Sequence, residues 1–317
     1  MTRMFVDAWD PSYGASFDGG EGPASPSTAQ VETDAEVPAG EWAPIGVGRG
    51  ARCPEVVLLV DGVQRKDALL WTEEEDGSSY AGLAASFAAG VVRCDLRNGV
   101  AELLPGARVG RALFTASPSA GDVVAGSVRY AVRRVGGSGE VGKLPGAVQA
   151  PLTALEIEIS GAAREGDDDL LVVDGPLRSR RLPRTLGFVK TQQKRYLPAQ
   201  LTLVITSLRA SQRTPVFRIG GPWGGWSWYL RLPGGGGAPW AGIVRVECSP
   251  DLTVEQAIEL ADLSGVTLPR FASQAYKDPR APQNLIPIAG LERRLRGLLG
   301  DARVLHRALT MATARAR

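Results

Sequence analysis

Two short apolar runs in this sequence end in an aspartate followed by a glycine. Glu55-Val-Val-Leu-Leu-Val60 leads into Asp61-Gly62, and Asp169-Leu-Leu-Val-Val173 leads into Asp174-Gly175. Apolar, β-branched runs bounded by turn residues predict buried strands, and a carboxylate at the mouth of such a strand is partly desolvated and needs a compensating partner. A metal ion can compensate two such acids at once. Oxygen-only sites suit hard cations such as Mg²⁺ or Mn²⁺, which in phosphodiester cleavage position an attacking water and stabilise the leaving oxygen. Taken singly, each aspartate equally fits a cap on the turn before its glycine.

Other residues could join such a site. A helix is expected over Leu152 to Ala163, with Leu152, Leu155, Ile159 and Ala162 on one stripe after Pro151. Glu156 and Glu158 fall on opposite shoulders of that stripe, so periodicity does not choose between them as a third carboxylate. Gly187-Phe-Val-Lys190 predicts a short strand ending in a cation that could neutralise a scissile phosphate, or lie on the surface. Trp223, Trp226, Trp228 and Trp240 flank a glycine-rich hairpin and could stack on unpaired bases, although the alternation of Trp226 and Trp228 fits one face of a core strand better. The lone histidine, His306, excludes a multi-histidine zinc site and reads as structural. Cys53, Cys94 and Cys248 form no C-x-x-C and read as small buried thiols. No phosphate-binding G-x-x-x-x-G-K-[ST] loop is present.

The net charge of +2 hides an uneven distribution. Residues 1 to 50 hold eight acids against Arg3 and Arg49, with a Gly- and Pro-rich stretch that predicts a flexible arm or extended strap anchored by Phe5, Trp9 and Trp42. From Gly175 to Val246 there is no acid, whereas twelve Lys and Arg residues occur there. Clustered cations favour an anionic polymer through counterion release; a basic surface for solubility or for a protein partner is the alternative. The opening residues lack the apolar core of a signal peptide and no run is long enough to span a membrane, so a cytoplasmic, soluble protein is expected.

Along the chain the elements alternate. Strands are expected at 55 to 60, around Ala68 to Trp71, at Gly90 to Cys94, at 170 to 173, 187 to 190, Thr214 to Ile219, Trp226 to Leu232 and Ala241 to Glu247, with another short one within 122 to 134. Gln200 to Thr206 fits strand or helix. Helices are expected from Thr253 to Leu263 and from near Ile288 to the C-terminus, with a break at Gly300.

The order of these features resembles the NurA nucleases of archaea and bacteria: Val60-Asp61-Gly62, a helical glutamate, Val173-Asp174-Gly175-Pro-Leu177, Gly187-Phe-Val-Lys190-Thr and the late Tyr276-Lys-Asp-Pro-Arg-Ala-Pro-Gln-Asn284 segment. The resemblance covers about residues 50 to 317. It implies an α/β fold with an RNase H-like mixed β-sheet core flanked by helices over residues 51 to 317, preceded by the acidic arm at 1 to 50. It further implies Mn²⁺ or Mg²⁺ held by Asp61, Glu156 and Asp174, with Lys190 and Tyr276 beside the scissile phosphate and Asn284 where archaeal members have a histidine. Arg65, Arg178, Lys194 and Arg195 are the expected DNA contacts. The implied activity is digestion of single- and double-stranded DNA from 5′ ends and internal cutting of single strands, by a homodimer partnered with a HerA-type hexameric translocase in DNA-end resection. Asparagine can bind metal through its amide oxygen but cannot shuttle a proton, and Asp278 is the candidate to compensate. A DNA-clamping adaptor with a decayed site, or an enzyme acting on RNA, are the alternatives.

Overall fold

The computed structural model describes residues 25–46, 48, 50–136, 140–166, 168–178, 180–221, 224–234 and 236–315. Phe5, Trp9, Trp223 and the acids of the arm before residue 25 lie outside the described residues. The chain is mixed α/β, with a 12-stranded mixed sheet and flanking helices. In chain order the strands are β1 (Ser25–Pro26), β2 (Val31–Glu32), β3 (Val56–Glu73), β4 (Ser79–Asp95), β5 (Val100–Leu103), β6 (Arg108–Thr115), β7 (Val123–Ala125) and β8 (Val128–Arg134). After helices α1 (Leu144–Ala147) and α2 (Gln149–Ala162) come β9 (Leu170–Asp174), β10 (Thr185–Val189), β11 (Lys194–Arg195) and α3 (Ala199–Ser207). The remainder is β12 (Phe217–Ile219), β13 (Gly225–Arg231), β14 (Ile243–Cys248), α4 (Val254–Thr267), α5 (Ile286–Leu298) and α6 (Ala302–Arg315).

Two compact units form. One takes the described residues up to Leu59 with Val92–Glu102 and Arg164–Ala289; the other takes Val60–Val91, Leu103–Ala163 and the residues from Gly290 onward. In the first unit the strands run in the order β2-β12-β13-β14-β10-β9. The β9–β10 pair is parallel and sets Val173 opposite Gly187 and Asp174 opposite Phe188. The β13–β14 hairpin predicted from the glycine-rich loop is antiparallel, with Trp228 facing Val246. Trp226 and Trp228 are core side chains, not a base-stacking platform: their indole N–H groups donate to the Leu252 carbonyl at 2.8 Å and to Ser264 Oγ at 3.0 Å. Trp240 packs beside a core of Trp42, Leu201, Ile205, Phe217 and Tyr229. Helix α4 opens on a capping box in which Thr253 Oγ1 accepts from the Gln256 N–H and the Gln256 side chain accepts from the Thr253 N–H.

In the second unit β4-β6-β8-β7 are neighbours, with β6 and β8 parallel and β7 and β8 joined through Gly126 at φ +64°. The expected single strand within 122 to 134 is thus this two-stranded turn. Asp67 on β3 is buried and accepts from Arg65 Nε at 2.8 Å, Ser86 Oγ at 2.5 Å and the Tyr130 hydroxyl at 2.9 Å, while its carbonyl meets His306 Nδ1 at 3.1 Å. Burial and the neighbouring Asp67 carboxylate push the Tyr130 phenol up to about 12, so it stays a donor. His306 is therefore structural.

The first Asp-Gly pair is placed differently from expectation. β3 does not stop at Asp61; it runs 18 residues to Glu73 and absorbs the separate strand expected at 68 to 71. Its first half is buried on both faces, and after Val63 only Asp67 is buried. A search for continuous apolar runs therefore ends where the strand merely changes from two covered faces to one.

Acids from outside the basic tract pair with four of its twelve cations: Arg181 with Asp251, Lys190 with Asp174, Arg245 with Glu247, and Arg213 with both Glu36 and Asp262. Arg231 donates to the carbonyls of Thr206, Pro239 and Ala241. The described part of the acidic segment is a strap. Glu36 holds Arg213 at 2.8 and 2.9 Å and accepts from the Val216 N–H at 2.6 Å, and β2 pairs with β12. Arg213→Met leaves two acids beside the vacated guanidinium site, and a loss of about 3–5 kcal/mol is expected on breaking such a pair. Equilibrium urea denaturation measures it; a cost under about 1 kcal/mol would remove the clamp from the account.

Candidate functional site

Asp174 is the last residue of β9, and Gly175 turns the chain at φ +109°, a conformation that suits glycine. The Gly175 N–H donates to the Phe188 carbonyl at 2.9 Å, which ties the turn to the end of β10 two residues before Lys190. Lys190 follows that strand, and its ammonium donates to Asp174 Oδ2 at 2.6 Å. Both side chains are nearly buried, at 12% and 9% exposure, so the pair is shielded in a way surface ion pairs are not. Gly187, opposite Val173, leaves room for Glu247, since a Cβ there would lie 2.8 Å from Glu247 Cγ. Glu247 accepts from the Leu177 N–H at 2.6 Å, fixing the strand-exit turn.

The Tyr276–Asn284 loop completes this group in the first unit. Asn284 is fully buried; its Oδ1 accepts from Lys190 at 3.0 Å and its Nδ2 donates to Asp278 Oδ2 at 2.7 Å. Asp278 Oδ1 accepts from the Arg280 N–H at 2.8 Å. Asn284 thus bridges Lys190 and Asp278. Tyr276 is 77% exposed, with the Lys277 ammonium 5.2 Å over its ring.

In the second unit Asp61 is buried within β3, and its Oδ1 accepts from the Gly62 N–H at 2.7 Å. Helix α2 packs directly over this glycine: a Cβ there would lie 2.5 Å from Glu156 Oε1 and 2.7 Å from Leu152 Cδ1. Glu156 is buried next to the Asp61 segment, whereas Glu158 is mostly exposed and pairs with Arg108 at 3.3 Å. Packing thus separates two glutamates that periodicity left equal.

Asp61, Asp174 and Glu292 are carboxylates of the kind that could hold a metal ion. Glu292, the sole acid in α5, was not foreseen because its helix reads as basic. Carboxylate oxygens fit a hard divalent cation, and Asp174 Oδ1 is buried without a hydrogen-bond partner among the described residues, an arrangement a cation would complete. Cys94 and Cys248 are poor thiolate donors: burial pushes the Cys94 thiol up to about 11 and raises that of Cys248 further.

The expected DNA contacts differ in setting. Arg178, Lys194 and Arg195 are exposed, the last two on β11. Arg65 is partly buried and donates to Asp67 and to the carbonyls of Leu299 and Gly300, so it also serves the end of α5. No protein-family model and no curated protein matches the chain. No helix is long and apolar enough to cross a membrane among the described residues.

Gly62→Ala tests the packing of Glu156 on β3. The added methyl forces Glu156 and Leu152 aside, and overpacking of this kind costs roughly 1–3 kcal/mol. A urea midpoint equal to that of the unaltered protein would contradict the close approach.

Proposed function

We propose that this protein is a metal-dependent nuclease that hydrolyses phosphodiester bonds in DNA. The observation that carries the reading is Asp174, which binds the nearly buried Lys190 through Oδ2 and keeps Oδ1 buried without a hydrogen-bond partner among the described residues, with Asp61 and Glu292 as further carboxylates that could hold a metal ion. Mn²⁺ or Mg²⁺ at these oxygens would supply Lewis acidity toward a phosphate and acidify water. The chain's own residues do the rest. Asp61, on a strand buried on both faces ahead of it, and Asp174, at a glycine turn locked to β10, are held on rigid elements. Lys190 uses two of its three donors on Asp174 and Asn284, leaving the third for a phosphate oxygen of the substrate. Glu156, buried beside Asp61, is placed to orient that aspartate or to take a water's proton.

DNA as substrate rests on the resemblance and on exposed Arg178, Lys194 and Arg195, which would track a phosphate backbone. The same resemblance supports an RNase H-like core, digestion from 5′ ends with internal cutting of single strands, a homodimer and a HerA-type translocase partner in DNA-end resection.

Asp61→Asn, Asp174→Asn and Glu292→Gln are each expected to lower Mn²⁺-dependent digestion of labelled DNA by at least on the order of 100-fold, the upper range seen for mere outer-shell partners of metal ligands. Glu158→Gln is the control expected to retain activity, and chelation with EDTA should abolish it. Salt-sensitive DNA binding with no Mn²⁺-dependent product from the unaltered protein would support the adaptor reading instead. Preference for RNA-containing substrates would move the assignment to RNA.

A further inference from the structure

We propose that Asn284 is a positioning residue: clamped by Asp278, its carboxamide holds the Lys190 ammonium on one oxygen of Asp174 and so reserves the other oxygen for a cation. The role assigned to that cation rests on the proposed function; the positioning itself does not.

The orientation of Asn284 is chemically forced. An ammonium can only donate and an ionised carboxylate can only accept. With Lys190 at 3.0 Å on one side and Asp278 at 2.7 Å on the other, only the placement with Oδ1 toward Lys190 and Nδ2 toward Asp278 makes two bonds. A flipped amide would set NH₂ against the ammonium and oxygen against the carboxylate. The loop fixes the clamp locally, because Asp278 Oδ1 is held by the Arg280 N–H and the Asn284 N–H donates to the Arg280 carbonyl at 3.1 Å. Asn284 is fully buried, so water does not readily replace it.

A neutral acceptor suits this position. A second carboxylate would compete with Asp174 for the ammonium and draw it away, and a cation would repel it. A carboxamide directs Lys190 without taking its counter-charge. The outcome is an asymmetric aspartate: Oδ2 carries Lys190 at 2.6 Å, while Oδ1 is buried without a hydrogen-bond partner among the described residues. Without Asn284, nothing in this network would hold the ammonium to one oxygen, and Lys190 could shift across the carboxylate toward the oxygen a cation needs.

Brief acetic anhydride labelling read by mass spectrometry tests the positioning without any activity. Lys190 is expected to be protected in the unaltered protein relative to exposed Lys194, and Asn284→Leu should raise its modification roughly tenfold or more, given the strength of hydrogen bonds to charged groups. Because that variant strands Asp278, the double variant Asp278→Asn/Asn284→Leu is measured beside it, with circular dichroism confirming the fold. Unchanged Lys190 labelling in a folded variant would overturn the proposal. Mn²⁺ titration and DNA digestion supply a second arm. Asn284→Leu should weaken Mn²⁺ binding and lower kcat with KM little changed, yet add nothing in a Lys190→Met background, since it acts through Lys190. Equal losses in both backgrounds would show a merely structural role. If the unaltered protein digests no DNA, the proposed function fails while labelling and Mn²⁺ affinity still decide the positioning.

Discussion

A buried charge must be answered by an opposite charge or a full set of hydrogen bonds, and this constraint organises the molecule. Arg213 is answered by Glu36 and Asp262, Arg245 by Glu247, Asp67 by Arg65, Ser86 and Tyr130, and Asp174 by Lys190. The links of Arg213 to Glu36 and Asp262, of Asp67 to Ser86 and Tyr130, and of Asp174 to Lys190 join segments distant in the chain. The extended strap is held to the first unit by Glu36, and the turn after β9 is held by Glu247. The same rule that closes the structure also builds the site, where Asp174 has one oxygen answered by protein and the other left without a hydrogen bond.

Packing then decides which chemically similar residues matter. Glu156 and Glu158 are two residues apart on α2, yet one is buried against Gly62 and the other pairs with Arg108 at the surface. Asp278 and Asn284 are six residues apart in a loop whose turns bring their side chains to 2.7 Å. Because Asn284 is spent on Lys190, its type is explained by the need for a neutral two-sided group.

Much of the architecture was legible because it is local. The apolar run before Asp174, the glycine hairpin carrying Trp226 and Trp228, the Thr253 cap and the break at Gly300 each announce themselves within a few residues. Asp61 misled for a physical reason: an Asp-Gly pair is a turn signal only when the backbone bends, and here the strand continues because α2 fits over the missing side chain. In the basic tract, composition counts charges but not partners, and the acids that neutralise Arg181, Arg213 and Arg245 lie outside the counted window.

By itself, then, the sequence determined the strand- and helix-forming segments, the two Asp-Gly pairs and the supply of carboxylates without histidine or thiolate ligands, because periodicity, capping and side-chain chemistry are properties of neighbouring residues. Only the tertiary structure decided that Asp61 lies inside a long strand, that Glu156 and not Glu158 is buried against Gly62, and that Asn284 faces Lys190. Those facts depend on distances between residues tens to hundreds of positions apart. Such distances are set by how buried faces pack and how buried charges find partners, and neither is written in any local stretch of chain.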